Sequence, residues 1–225
     1  MNILVVAAHP DDEVLGCGGT IARLAKEGNH VYIAILGEGI TSRFEKQEDA
    51  DNGLIKSLHS KAKKVNKLLG CKENIFYNLP DNRFDTIPLL DVIKIVEQLI
   101  KKFQPNTIFT HHAGDLNIDH VIVHRAVMTA TRPQAFQSVK ELYSFEVPSS
   151  TEWSFDQFNK FRPNVYFDIR DTLEKKIKAM SIYETEIRDY PHPRSEKALR
   201  SIAHHRGTEA GLIAAEAFQL IRKIN

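Results

Sequence analysis

The chain is short of the features that would take it out of a reducing, aqueous setting. Its 225 residues include only two cysteines, Cys17 and Cys71, which form neither a disulfide framework nor a paired metal motif. Cys17, beside two glycines, reads as a small buried residue. No apolar run approaches the roughly 20 residues that span a bilayer, and the N-terminal run lacks the basic region of a secretory signal. Charge of either sign is not in excess: 30 basic residues against 29 acidic leave a formal net charge of +1. There is thus no electrostatic case for nucleic acid or an acidic membrane. The run Lys56, Lys61, Lys63, Lys64 and Lys67 reads as the solvated face of a helix. A cytoplasmic protein is expected, with no membrane insertion and no nucleic-acid partner. Three motifs are also missing. No Gly-x-Gly-x-x-Gly follows the first strand, no Gly-Lys-Ser/Thr occurs, and no Gly-x-Ser-x-Gly elbow exists, so nucleotide binding by those routes and serine hydrolysis are unsupported.

What the chain does have is concentrated in Ala8-His9-Pro10-Asp11-Asp12-Glu13. Before it, Asn2–Ala8 is a short apolar run rich in β-branched residues, the mark of a buried strand. After it, from Val14, the spacing of Ile21, Leu24 and Ala25 predicts a helix stopped at Gly28-Asn29. One imidazole and three carboxylates therefore share a tight strand-to-helix turn, where ligands bind in open α/β sheets. Like charges so close raise one another's pKa, and a cation removes the penalty. His9 and Asp12 offer the nitrogen and oxygen that zinc accepts, leaving Asp11 unligated as a base. The competing reading, in which Asp11 or Asp12 merely caps the helix, explains one acidic residue but not the cluster.

Further strands are predicted at His30–Leu36, Asn74–Leu79 and Asn106–Thr110. Helices are predicted at Ala50–Leu69, Pro88–Phe103 and Asp119–Thr131. This alternation indicates a Rossmann-like α/β three-layer sandwich with a mainly parallel sheet. With right-handed crossovers, every strand's carboxyl end lies on one rim. A 3-2-1-4 order would set the first and fourth turns face to face at the switch point. Arg43, Asp81 and Arg83 fall on the same rim and are candidates for gripping a substrate's hydroxyls or phosphate, against a plain surface role. Beyond Pro133 the pattern predicts strands at Ser138–Val147 and Asn164–Ile169. Helices follow at Asp171–Ile187, from a cap at Ser195 to His205, and at about Thr208–Ile224. We expect one domain, 1–225, with 1–133 as the core and 134–225 completing the site.

His120, at the start of the helix after the fourth strand, is the natural third ligand. His9, Asp12 and His120 would leave one place open for water, as catalytic zinc sites do. His120-Val-Ile-Val-His124 has zincin spacing but lacks the glutamate such an enzyme uses as base, so His124 reads as supporting or core. The sequence does not divide the roles of His111 and His112. Asp119 either orients His120 or an oxyanion donor, or caps its helix. Two rivals stand beside a zinc hydrolase. One is a magnesium-dependent phosphoryl-transfer enzyme using Asp11 or Asp12, which the histidines disfavour; the other is a non-catalytic sugar- or nucleotide-binding module.

The first motif, joined to Gly114-Asp-Leu-Asn-Ile-Asp-His120 about a hundred residues on, resembles the LmbE-like (PIG-L) family of zinc-dependent N-deacetylases. His192-Pro-Arg-Ser195, Arg206-Gly207 and Ala215-Glu-Ala-Phe218 extend the similarity. The resemblance implies hydrolysis of an N-acyl group, usually from a glucosamine-type sugar, with one zinc ion per subunit. By motif position, His9, Asp12 and His120 are the ligands and Asp11 the general base. It also implies frequent self-assembly, for which 149–161 is the candidate segment. One departure is Asn117, where several members carry a histidine that helps stabilise the oxyanion. That role is then shared among Asn117, the metal and a histidine such as His192.

Overall fold

In a computed structural model, described here for residues 1–43, 52–155 and 158–225, the sheet and its helices follow that alternation closely. The strands are β1 (Asn2–Ala7), β2 (His30–Gly37), β3 (Glu73–Leu79), β4 (Thr107–His111), β5 (Glu141–Phe145), β6 (Val165–Asp168) and β7 (Ala215–Lys223). The helices are α1 (Asp12–Lys26), α2 (Asn52–Leu69), α3 (Leu89–Phe103), α4 (Ile118–Ala130), α5 (Leu173–Ile182) and α6 (Glu196–Glu209). The sheet runs β3-β2-β1-β4-β5-β7-β6. Its first five members are parallel, and β7 lies antiparallel between β5 and β6. The 3-2-1-4 order that places the first and fourth turns side by side is present, and both halves of the chain share one sheet.

The unbroken apolar character of β1 follows from burial on two faces. Ile3 and Val5 join Ile33 and Ile35 in a core under α1, α2, α5 and α6. Leu4 and Val6 join Leu36 and Ile108 in a second core under α3 and α4. This double cover leaves the carboxyl rim of β1 and β4 as the place where polar side chains gather.

Helix α1 is not continuous. Cys17 leaves the helical region (φ −148°, ψ 22°), which exposes backbone groups on both sides of the break. The Glu216 carboxylate accepts from Gly19 N (3.0 Å) and Thr20 N (2.6 Å). Lys176 Nζ donates to Leu15 O (2.8 Å) and to Glu216 (2.6 Å). A buried ion pair thus caps both halves of the broken helix. Gly16 faces the Phe145 ring so closely that a Cβ would overlap it.

The terminal helix expected at about 208–224 is instead β7. Ala-Glu-Ala-Phe-Gln-Leu favours helix locally, but β5 and β6 take up both edges of its backbone and Glu216 is drawn to the break in α1. Tertiary pairing overrides propensity here.

Candidate metal centre and active site

The site sits where the turn after β1 meets the start of α4. Asp11 adopts φ 117°, a region that non-glycine residues seldom enter, and Asp11 N donates to Glu13 Oε2 (3.0 Å). Glu13 is held in turn by the Tyr183 hydroxyl (2.6 Å); burial pushes its carboxyl up to about 7, against the two hydrogen bonds. This strained turn carries His9, Asp11 and Asp12 toward His120, and all four are buried.

One ligand atom from each of His9, Asp12 and His120 can be chosen so that all lie within 4.8 Å of one another. Asp12 Oδ2 is the hub, 3.4 Å from His9 Nδ1 and 3.3 Å from His120 Nε2. The far nitrogens of both rings face carboxylates: His9 Nε2 lies 2.9 Å from Asp119 Oδ2 and 3.2 Å from Asp81 Oδ1. His120 Nδ1 lies 3.1 Å from Asp115 Oδ1. Carboxylates behind ligating histidines are the usual means of fixing ring orientation and basicity. Although close to these oxygens, both His120 nitrogens are buried without a well-directed hydrogen bond. A buried two-nitrogen, one-oxygen donor set with such orphaned imidazole atoms fits a zinc-class divalent ion. A second group, His9 with Asp81 and Asp119, also meets the distance condition.

Charge in the site is balanced by proximity. Burial alone would lower the His120 pKa, but Asp12 and Asp115 more than reverse this and hold it at about 9. His9 is likewise raised well above its ordinary value, burial being outweighed by Asp119, Asp12 and Asp81. Burial would raise Asp12, yet the charge on His120 keeps it well below the usual range. Burial pushes Asp11 well up, with Arg194 opposing and Asp12 and Glu186 assisting.

The other candidates occupy different positions. Asn117 caps α4, its Oδ1 accepting from Asp119 N (2.9 Å) while its Nδ2 donates to Asn82 Oδ1 (3.0 Å). His192 Nδ1 accepts from Arg194 N (3.1 Å), and its ring meets Trp153 edge-on at 5.5 Å. Asp81 is buried, accepting from Ser42 Oγ (2.5 Å) while facing His9, so it supports the histidine from within the rim. Arg83 is exposed. Arg43 closes a short 3-10 turn after β2, and its side chain lies outside the described residues.

The histidine pair separates clearly. His111 Nε2 accepts from Ala8 N (2.8 Å), and its ring stacks on His120 at 3.9 Å. Burial and the His120 charge hold it well below its ordinary pKa, so it is a neutral wall behind the site. His112 turns away to Asn159 O (2.6 Å). His124 Nδ1 bonds His111 O (2.8 Å), a supporting position. Asp119 faces His9, not the adjacent His120; its two oxygens also accept from Asn82 N and Phe84 N, which ties the loop after β3 to the site.

Two residues absent from the sequence reading stand out. Asp115 bonds Ser150 Oγ and Thr151 Oγ1 behind His120, which, with His120, hold its carboxyl down at about 2 against burial. Arg194 Nη1 donates to Asp11 Oδ2 at 2.8 Å. Only their place inside the quoted motifs could have marked them.

Strand order, rim and donor set together define an α/β protein with a candidate metal centre at the switch point of its sheet. The PIG-L (GlcNAc-PI de-N-acetylase) family model matches residues 4–131, and the chain belongs to that family. It is 30% identical over 183 residues to the "Uncharacterized deacetylase YaiS" of Escherichia coli, covering 79% of this chain and 91% of that one. It is 25% identical over 233 residues to the diacetylchitobiose deacetylase of Thermococcus kodakarensis, covering 98% and 83%. Among solved structures, GalB of Pseudomonas putida, a 4-carboxy-2-hydroxymuconate hydratase, superposes with a TM-score of 0.79 at 20% identity, over 100% of this chain and 97% of that one. That likeness bears on the fold alone. No helix among the described residues is long and apolar enough to cross a membrane.

Proposed function

We propose that the protein is a metal-dependent N-deacetylase acting on an N-acetylated amino sugar. The observation that carries this reading is the convergence of His9, Asp12 and His120 around one point, with Asp11 beside them. Family membership and relatives named as deacetylases favour amide hydrolysis over other uses of such a centre. The two histidines disfavour the magnesium phosphoryl-transfer alternative.

His9, Asp12 and His120 would hold the ion, which when bound acidifies water and polarises a carbonyl. Asp11 takes the proton from the attacking water as its oxygen bonds to the amide carbon. Asp11 then gives this proton to the departing nitrogen as the C–N bond breaks, leaving a free amine and acetate. Asp119 and Asp115 keep the two imidazoles turned inward throughout. Asn117 Nδ2 is already engaged with Asn82, so it would have to exchange that partner to serve an oxyanion. Arg83, with Arg43, is the rim residue assigned to the sugar; Asp81 acts on His9. The protein is read as cytoplasmic.

The test is acetate release from a panel of N-acetylated amino sugars that includes N-acetylglucosamine and N,N′-diacetylchitobiose, using zinc-loaded protein. Release that EDTA abolishes and zinc restores supports the proposal. No release from any member of the panel overturns it.

A further inference from the structure

We infer that Arg194 is a positioning residue that fixes the Asp11 carboxylate for proton transfer; this rests on the deacetylase reading above. Arg194 lies on the segment between α5 and α6, more than 180 positions from Asp11 in the chain. Its Nη1 donates to Asp11 Oδ2 at 2.8 Å. Its Nε donates to Ser149 Oγ at 2.7 Å, and Glu186 Oε2 lies 3.6 Å from Nη1. The guanidinium is therefore held from more than one side before any substrate arrives. Just beyond it, Ser195 caps α6 by accepting from Ala198 N (3.2 Å), which anchors the segment to a regular element.

Asp11 needs such a partner. Its backbone is strained, and the residue is only 3% exposed. Among the described residues, Arg194 alone hydrogen-bonds that carboxylate. With Oδ2 taken, Oδ1 is the oxygen left to accept a proton. A fixed arginine fork holds one rotamer of the base, whereas an unpinned carboxylate samples others and spends less time in line. Arg194 acts through Asp11, so its loss should lower kcat and leave KM and metal content nearly unchanged.

The experiment compares zinc-loaded wild type, Arg194→Ala, Arg194→Lys and Ser149→Ala on whichever of N-acetylglucosamine or N,N′-diacetylchitobiose wild type hydrolyses. Zinc content and thermal midpoint are measured alongside. We expect Arg194→Ala to keep its zinc and lose roughly 10- to 100-fold in kcat with KM within about twofold, since misplacing a reacting group by about 1 Å costs about a hundredfold. Added guanidinium ion should restore part of that rate, and Arg194→Lys should retain more activity than alanine. Ser149→Ala, which frees Nε alone, should show a smaller loss of the same kind; if Arg194→Ala does not fold, this variant decides. A rise in KM with kcat preserved would make Arg194 a substrate contact and overturn the proposal. So would loss of zinc, or a folded Arg194→Ala without guanidinium rescue together with wild-type kcat in Ser149→Ala; where Arg194→Ala does not fold, wild-type kcat in Ser149→Ala overturns it alone. Wild type that turns over neither sugar removes the deacetylase reading and this proposal with it; wild-type turnover with an unaffected Arg194→Ala removes only the latter.

Discussion

Loading the site with a metal ion should expel close to two protons at neutral pH. In the metal-free protein His120 holds a proton up to about pH 9, and His9 is raised in the same direction. The protons act as stand-ins for the ion, neutralising Asp12 and the carboxylates behind the rings. A ligating imidazole must be neutral at the bonded nitrogen, so binding competes with both protons. At pH 7, His120 sits two units below its pKa; at about 1.36 kcal/mol per unit this costs about 2.7 kcal/mol, roughly a hundredfold in affinity. Affinity should thus rise with pH, about tenfold per unit for each histidine still protonated, and the His120 contribution should level off above about pH 9. Calorimetry of zinc binding in buffers of differing ionisation enthalpy counts the protons directly. A release near two at pH 7 is expected. Release near zero, with affinity flat between pH 6 and 8, would mean instead that the histidines are neutral beforehand or do not bind the ion.

Three other outcomes follow from the same structure. Asp11→Asn should retain its metal yet lose about a hundredfold or more in rate, checked by zinc analysis and steady-state kinetics; near-normal turnover removes Asp11 as the base. Gly16→Ala should lower stability by about 1–3 kcal/mol, because its Cβ would fall 2.3 Å from the buried Phe145 ring and force it to shift, as read by denaturant unfolding. Lys176→Met should destabilise by about 3–5 kcal/mol because it strands Glu216 in the interior, whereas pairing it with Glu216→Gln should recover part of the loss.

What could be read in advance was local. The apolar run of β1, the alternation of strands and helices, and the clustering of His9, Asp11 and Asp12 on one turn all lie within short windows where periodicity and charge spacing speak directly. Handedness puts every strand's carboxyl end on one rim, but it does not fix strand order; the observed order is what sets the turn after β1 beside the start of α4. The strand β7 was not legible, because its residues favour helix until β5 and β6 claim the backbone. Nor were the supporting contacts. Arg194 reaches Asp11, Asp119 chooses His9 over the adjacent His120, and Asp115 takes the place behind His120. Such pairings depend on loop conformation across large sequence separations, and no periodicity encodes them. Asp81 shows the converse: a rim position is legible, but the direction its side chain takes is not.

The proposed reaction requires one ion held between the first turn and the start of α4. Anomalous scattering at the zinc edge, from crystals of zinc-loaded protein, tests it most directly. One strong peak is expected within about 2.0–2.2 Å of a nitrogen of His9, an oxygen of Asp12 and a nitrogen of His120. A peak seated instead on Asp81 and Asp119 with His9, or none at all in this region, would contradict it.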